Sequence, residues 1–236
     1  WQEASLDSVT AGLVSAEARS AIAEAMITVG AQGTAHGNIA VNNKKLLEKG
    51  LRGIIDEIEA KLASFKPRCA ADGNKIDFWR AAKLSCEAVI AFAHRYADEA
   101  QRRAAECSDP VRREELYEIA AVLKRVPEFP AANFREALQS VWLIYVVTQI
   151  EADPHAMLLG RFDQYMYPYY KKDVEAGRLT DDEAVELLAH IWIKCTAIIK
   201  LMDSVTTRTF AGFPLFQNIT LGGQGPRGED ACNELT

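Results

Sequence analysis

No stretch of this chain is apolar for long enough to cross a bilayer. The longest uninterrupted apolar run, Val141–Val147, has seven residues, whereas a spanning helix needs about 20. The first residues are acidic and lack a long apolar segment, so no secretory signal peptide is expected. Trp1 stands where Met would begin a gene product, so a fragment or processing boundary is expected there. An excess of positive charge is also missing. Lys and Arg total 27 against 33 Asp and Glu, a net charge of −6, so the concentrated positive field that nucleic acid requires is absent. Cysteine is sparse. The five present (Cys69, Cys86, Cys107, Cys195, Cys232) form neither C-x-x-C nor a zinc spacing, and reduced thiols in a cytoplasm are the simplest reading. Tracts rich in Gly, Pro and Ser are absent as well, and so are a P-loop, an H-E-x-x-H motif and any recognisable Ser-His-Asp context.

What remains is enough for a core: 49% of the 236 residues are hydrophobic, which suits one large domain or two small ones. The first two-thirds read as helix. Ser15–Val29 carries apolar residues at helical spacing, and a Gly-punctuated break, "GAQGTAHGN", follows. Leu46, Leu47, Leu51, Ile54, Ile55, Ile58 and Leu62 then form one stripe of an amphipathic helix. A long helix is predicted from Asp77 to Ser108. Asp109-Pro110 opens the next as cap and first residue, and Pro127 and Pro130 end it. Asn133 caps a helix that is apolar nearly all round from Leu138 to Val147, a pattern expected of a buried helix. Thr180 and Glu183 form a capping box. A strand signal enters only with "FQNITLGG".

Three stretches are candidates for chemistry. Gly223–Gly228 spells G-x-G-x-x-G, and "EDACNEL" after it can begin a helix. However, nothing upstream supplies the βαβ unit of a dinucleotide site, and Pro226 removes an amide donor, so a turn after a strand is the expected structure. In "EADPHAMLLGRFDQYMYPYYKKD", Arg161 and Asp163 lie within a dense group of Tyr, Phe and Met. Their plain reading is an ion pair that fixes a loop. His155 beside Asp153 is too small a set for a metal and reads as a hydrogen-bonded structural His. In the "GAQGTAHGN" turn, Gln32, Thr34, His36 and Asn38 are neutral hydrogen-bonding groups that suit a polar pocket or a solvated loop equally.

The blocks "VPEFPAANFREALQSVWLIY", "GRFDQYMYPYYKKDVEAGRLTDDEAVELL" and "GFPLFQNITLGGQGPRGEDACNELT" occur in this order, with "KKLLEKGLRGIIDEIE" upstream. Together they resemble the glycyl radical enzymes, the pyruvate formate-lyase-like family, and within it the dehydratase/lyase branch. The likeness extends from about Gly33 to Thr236. It implies a segment that is mostly α with a few strands, part of a ten-stranded α/β barrel. The helical wrap would occupy roughly 1–150, and helices with the first barrel strands roughly 150–236. The Gly-rich tail becomes an exit turn after the "QNITLGG" strand.

The resemblance also implies a chemistry. Relatives store a glycyl radical, installed by a radical SAM activating enzyme, and pass it to a cysteine that takes a hydrogen atom from a small-molecule substrate. The cysteine loop and the glycyl loop are expected beyond the blocks seen here, so no catalytic role falls on this chain's residues and the polypeptide alone is expected to be inactive. No cofactor or metal is expected in this segment, nor a nucleic-acid or membrane partner. A homodimer in an anaerobic cytoplasm or microcompartment is implied.

By family position Phe213 matches an aromatic that packs on substrate. Ala156 falls where relatives carry a small or hydroxylated pocket residue, and Asn38 where diol dehydratases often carry a substrate-binding His. Gln32 and Thr34 match positions that contact polar head groups in other branches, while His155, Arg161 and Asp163 support the site. The chain reads "NIAVNNKK" in place of the usual "HTVPDYEK" and "AMLLGR" in place of "SISPGR", so it lacks a His, an acid and a hydroxyl. Elimination of water from a small polar substrate is the leading expectation. Loss of sulfite or an amine, formate acetyltransferase-like chemistry and a non-catalytic helical fragment are the alternatives.

Overall fold

The computed structural model describes residues 14–24, 38–152, 154, 156–198 and 216–236. Its contacts divide the chain into two compact units. One draws on Trp1–Val41, Thr148–Gly160 and Trp192–Ile219, the other on Asn42–Val147, Arg161–Ile191 and Thr220–Thr236.

In the first, strands β1 (Asn38–Ala40), β2 (Ala156–Arg161) and β3 (Phe216–Thr220) form a sheet in that spatial order. β1 runs parallel to β2, with Asn38 opposite Ala156, Ile39 opposite Met157 and Ala40 opposite Leu158. Because side chains alternate between faces, Met157 and Leu159 are buried on one side while Asn38 and Ala40 are exposed on β1. Gln217 of β3 donates from Nε2 to the Cys195 carbonyl at 2.6 Å. Helix α1 (Ala16–Ala23) also belongs here.

The second unit is helical. α2 (Asn43–Ser64) is capped by Asn42, whose side chain accepts the Lys45 amide at 3.1 Å. The predicted stripe is buried at Leu46, Leu47, Leu51, Ile55 and Ile58. Leu46, Leu51 and Ile55 pack with Ile90 of α3 (Asp72–Glu106). α3 also packs along α4 (Pro110–Arg125), where Ala93 and Ala97 meet Leu123, and joins Leu143 of α5 (Phe134–Ala152) in one cluster. Each Leu or Ile so buried contributes about 1.5–3 kcal/mol.

Helix α2 is not the continuous rod its periodicity predicts. At Gly50 the backbone turns to φ 64 and ψ 171, which releases hydrogen-bonding groups to the segment after α4. The amides of Leu51 and Arg52 donate to the carbonyls of Pro127 and Glu128, both at 2.8 Å, and Ala131 donates back to Leu47 at 3.1 Å. The Glu128 carboxylate is met by Arg52 at 2.6 Å and by His94 at 3.0 Å. Only glycine fits at position 50, because a Cβ there would overlap the backbone of Glu128 and Phe129.

The caps read from the sequence are present. Asp109 accepts the Val111 amide at 3.0 Å. Asn133 accepts the Glu136 amide at 2.8 Å. Thr180 and Glu183 exchange backbone–side-chain bonds at 3.3 and 2.8 Å, opening α7 (Asp181–Thr196). Two expectations need correction. β1 is a strand within the stretch assigned to the helical wrap, whereas β2 falls in the segment to which the resemblance assigned the first barrel strands. α5 is not buried all round among the described residues: Leu138, Val141, Leu143 and Tyr145 are buried, Val146 and Val147 are half-buried, and Ile150 is 68% exposed. "EDACNEL" folds into a bridge and tight turns, in keeping with the turn expected after β3.

Candidate functional site

Two of the predicted substrate-contacting residues, Asn38 and Ala156, come together as direct partners at the start of the β1–β2 pairing. Residues opposite one another share a sheet face. Asn38 is exposed and Ala156 is buried, so a carboxamide that can donate and accept stands beside a floor lacking a hydroxyl. Gln32, Thr34, His155 and Phe213 lie outside the described residues.

Arg161 and Asp163 do not form the expected ion pair, because each engages Gly222 instead. The Arg161 guanidinium donates to the Gly222 carbonyl at 2.8 Å, and the Asp163 carboxylate accepts the Gly222 amide at 2.7 Å. Arg161 is the last residue of β2, and Asp163 lies in the first turn of α6 (Phe162–Glu175). The intervening Phe162 side chain is buried, and the two charged groups meet the same residue, Gly222, one at its amide and one at its carbonyl. The same Asp163 oxygen, Oδ2, also accepts from Thr236 Oγ1 at 2.8 Å and Gln164 Nε2 at 3.0 Å. Burial raises the carboxyl's proton affinity, but these donors together outweigh it and hold the group below the usual aspartate value.

Gly222 and Gly223, at φ 59 and 85, use the left-handed region, and a Cβ on Gly222 would come within 2.8 Å of Cys232 Sγ. The rest of the tail closes on itself. Gly225 donates to Glu229 O at 2.8 Å, Gly228 to Gly225 O at 3.0 Å and Ala231 to Gly223 O at 2.9 Å. The Arg227 amide goes to the Glu229 carboxylate at 2.9 Å. The amides that a phosphate cradle would present are therefore spent within the turn.

Beyond the glycine clamp, the aromatic cluster has a structural use. Tyr165 accepts from Asn43 at 3.1 Å, and burial pushes its pKa upward. Asp173 receives the Phe134 amide at 2.7 Å and pairs with Arg178 at 2.6 Å, which ties the "NFREALQ" helix to "KKDVEAGR". Tyr170 donates to Asp181 at 2.7 Å, and that bond, with burial, raises its pKa to about 12. These links were not legible in the sequence, since partners separated by 39 or 59 positions leave no periodic signal.

Three thiols, Cys86, Cys195 and Cys232, are shifted away from the reactive thiolate. Burial lifts Cys195 to about 11 and also raises Cys86, and Cys232 is raised by its bond to Asp230, whereas nucleophilic cysteines are depressed. Among the described residues no group of three or more His, Cys, Asp or Glu is placed to hold a metal ion. No described helix is long and apolar enough to cross a membrane. A groove of about 710 Å³ in the second unit, lined in part by Arg112, Glu118, Phe134, Arg178, Glu186 and His190, includes none of the predicted substrate-contacting residues.

The family model for pyruvate formate lyase-like proteins matches residues 1–236, and the chain belongs to that family. It is 39% identical over 194 residues to the isethionate sulfite-lyase of Bilophila wadsworthia, an alignment covering 81% of this chain and 23% of that protein. A structure concerned with 1,2-propanediol dehydration in Roseburia inulinivorans matches with a TM-score of 0.92 and 38% identity, covering 100% of this chain and 30% of that one. The glycerol-bound, B12-independent glycerol dehydratase of Clostridium butyricum matches with a TM-score of 0.90 at 36% identity, again over 100% and 30%. The chain thus spans about a quarter of the length of the curated relatives it matches.

Proposed function

We propose that the full-length protein is a glycyl radical lyase that eliminates a small leaving group, water first, from a small polar substrate. This chain would supply part of its ten-stranded barrel and part of the substrate pocket. The observation that carries the reading is the pairing of Asn38 with Ala156, in a fold that follows a 1,2-propanediol-dehydrating enzyme along the whole chain. The glycyl radical, installed by a radical SAM activase, would supply hydrogen-atom abstraction through a cysteine. This chain's part is to position the substrate. A sulfur radical attacks the nearest C–H bond, so selectivity rests on holding one bond within reach and excluding water. The Asn38 carboxamide binds a substrate hydroxyl or head group, Gln32 and Thr34 add polar contacts, and Phe213 packs on the carbon skeleton. His155, Arg161 and Asp163 hold the surrounding backbone. Assembly as a homodimer in an anaerobic cytoplasm or a microcompartment belongs to the same reading.

A second reading, elimination of sulfite, is favoured by the 39% identity to an isethionate sulfite-lyase. A sulfonate depends on head-group hydrogen bonding, for which Gln32 and Asn38 suit better than the diol-dehydratase His. Hydroxide, the poorer leaving group, needs a general acid. The activated full-length protein should be given propane-1,2-diol, glycerol, hydroxyproline, choline and isethionate in turn. Aldehyde from a diol supports dehydration and sulfite from isethionate supports the second reading, while no product from any of them rejects both.

A further inference from the structure

The strongest relationship the reaction scheme leaves unused is the peptide of Gly222, held on both sides by residues that end β2 and begin α6. Arg161 takes its carbonyl at 2.8 Å and Asp163 its amide at 2.7 Å. β2 and β3 are neighbours in the sheet, and Gly222 follows β3 by two residues, so the exits of adjacent strands are tied at one point. The surroundings leave this peptide no other place. Gly222 and Gly223 are both left-handed, a Gly222 Cβ would come within 2.8 Å of Cys232 Sγ, and Gln164 fixes the returning chain through the Ala231 carbonyl at 2.6 Å. Asp163 is fully buried. Its Oδ2 has three donors, while its Oδ1 is buried with no hydrogen-bond partner. A buried polar atom left unpaired is destabilising, so this carboxylate is placed for what Oδ2 holds.

We propose that Asp163, acting with Arg161 on the Gly222 peptide, is a positioning residue for substrate selection, because this staple pins the register of β3 against β2. Register matters here since a one-residue slip moves every side chain of a strand to the opposite face. Ala156 begins β2 opposite Asn38, and β3 is the next strand in the sheet, so a slip alters the sheet on which this pair stands without touching the reacting atoms. The inference rests on the lyase reading above.

The test uses the activated full-length protein, with radical content counted by electron paramagnetic resonance and kcat and KM measured on the substrate that the wild type consumes. Asp163→Ala should lower kcat/KM by about 10- to 100-fold, the range for a misplacement remote from the chemistry, with radical per protomer unchanged. Asp163→Asn keeps an acceptor oxygen for the Gly222 amide and fits the unpaired Oδ1 position with its NH2, so it should recover most of that loss. Wild-type kcat/KM in a folded Asp163→Ala protein overturns the proposal, and so does a loss that Asn fails to recover. Hydrogen exchange of peptides spanning Phe216–Gly223 provides the independent readout. Slow exchange in wild type and Asp163→Asn supports the staple, and exchange as fast as in an unfolded control overturns it. An inactive wild type with slow exchange at these peptides contradicts the lyase reading and leaves the staple standing.

Discussion

Asn38 and Ala156 are opposite one another across β1 and β2 although 118 positions separate them in the chain. The first is exposed and polar, the second buried and small. If this pair faces substrate, Asn38→Ala in the full-length protein removes one hydrogen bond, a net of about 0.5–1.5 kcal/mol. A fall in kcat/KM of up to about tenfold is expected, with the melting temperature unchanged because the side chain is exposed. Unaltered kinetics would remove Asn38 from the pocket.

Gly50 carries a different load. At φ 64 and ψ 171 its backbone lies in a region essentially confined to glycine, which costs another residue about 1–3 kcal/mol, and an added Cβ would also overlap the Glu128 and Phe129 backbone. Gly50→Ala is therefore expected to destabilise the chain by more than about 2 kcal/mol in urea unfolding. A shift below half that would show that α2 can straighten without losing its bonds to Pro127 and Glu128.

Acid sensitivity should trace in part to Asp163. Its folded pKa is depressed below the unfolded value of about 3.9. The stability it contributes is complete above that value and is lost as pH falls through the lower, folded pKa. Asp163→Asn should flatten the decline of stability below about pH 4, as read by unfolding midpoints across acid pH. An identical slope in both proteins would contradict the assignment.

The alkaline side has the opposite sign. Tyr170 is raised to about 12 by its bond to Asp181, against about 10 when unfolded. Its contribution is whole below about pH 10 and lost as pH rises toward about 12. Tyr170→Phe should lessen the loss of stability in that interval, and an unchanged alkaline transition would refute it.

Local signals were legible because their physics is local. Asp109 before Pro110, Asn133 before Phe134 and the Thr180–Glu183 box each satisfy amides within three residues, and all form. The family blocks were legible as text, but their use was not. The pairing of Asp173 with the Phe134 amide, and of Asp163 with that of Gly222, joins separate blocks. Arg161 and Asp163 read as an ion pair because nothing in the sequence shows that a distant glycine peptide will lie between them. β1 is too short to reveal alternation, and "AMLLGR" is apolar without a period. The kink at Gly50 was hidden by a stripe that continues on both sides of it. At the candidate site, position alone suggested Asn38 and Ala156, and only the sheet register brought them together.

Lyase chemistry of this kind requires that the intact protein carry the family's radical. Full-length protein treated anaerobically with its radical SAM activase should show an organic-radical resonance that broadens or splits on backbone glycine isotope labelling. A protein that is folded and fully reduced yet shows no such signal would contradict it.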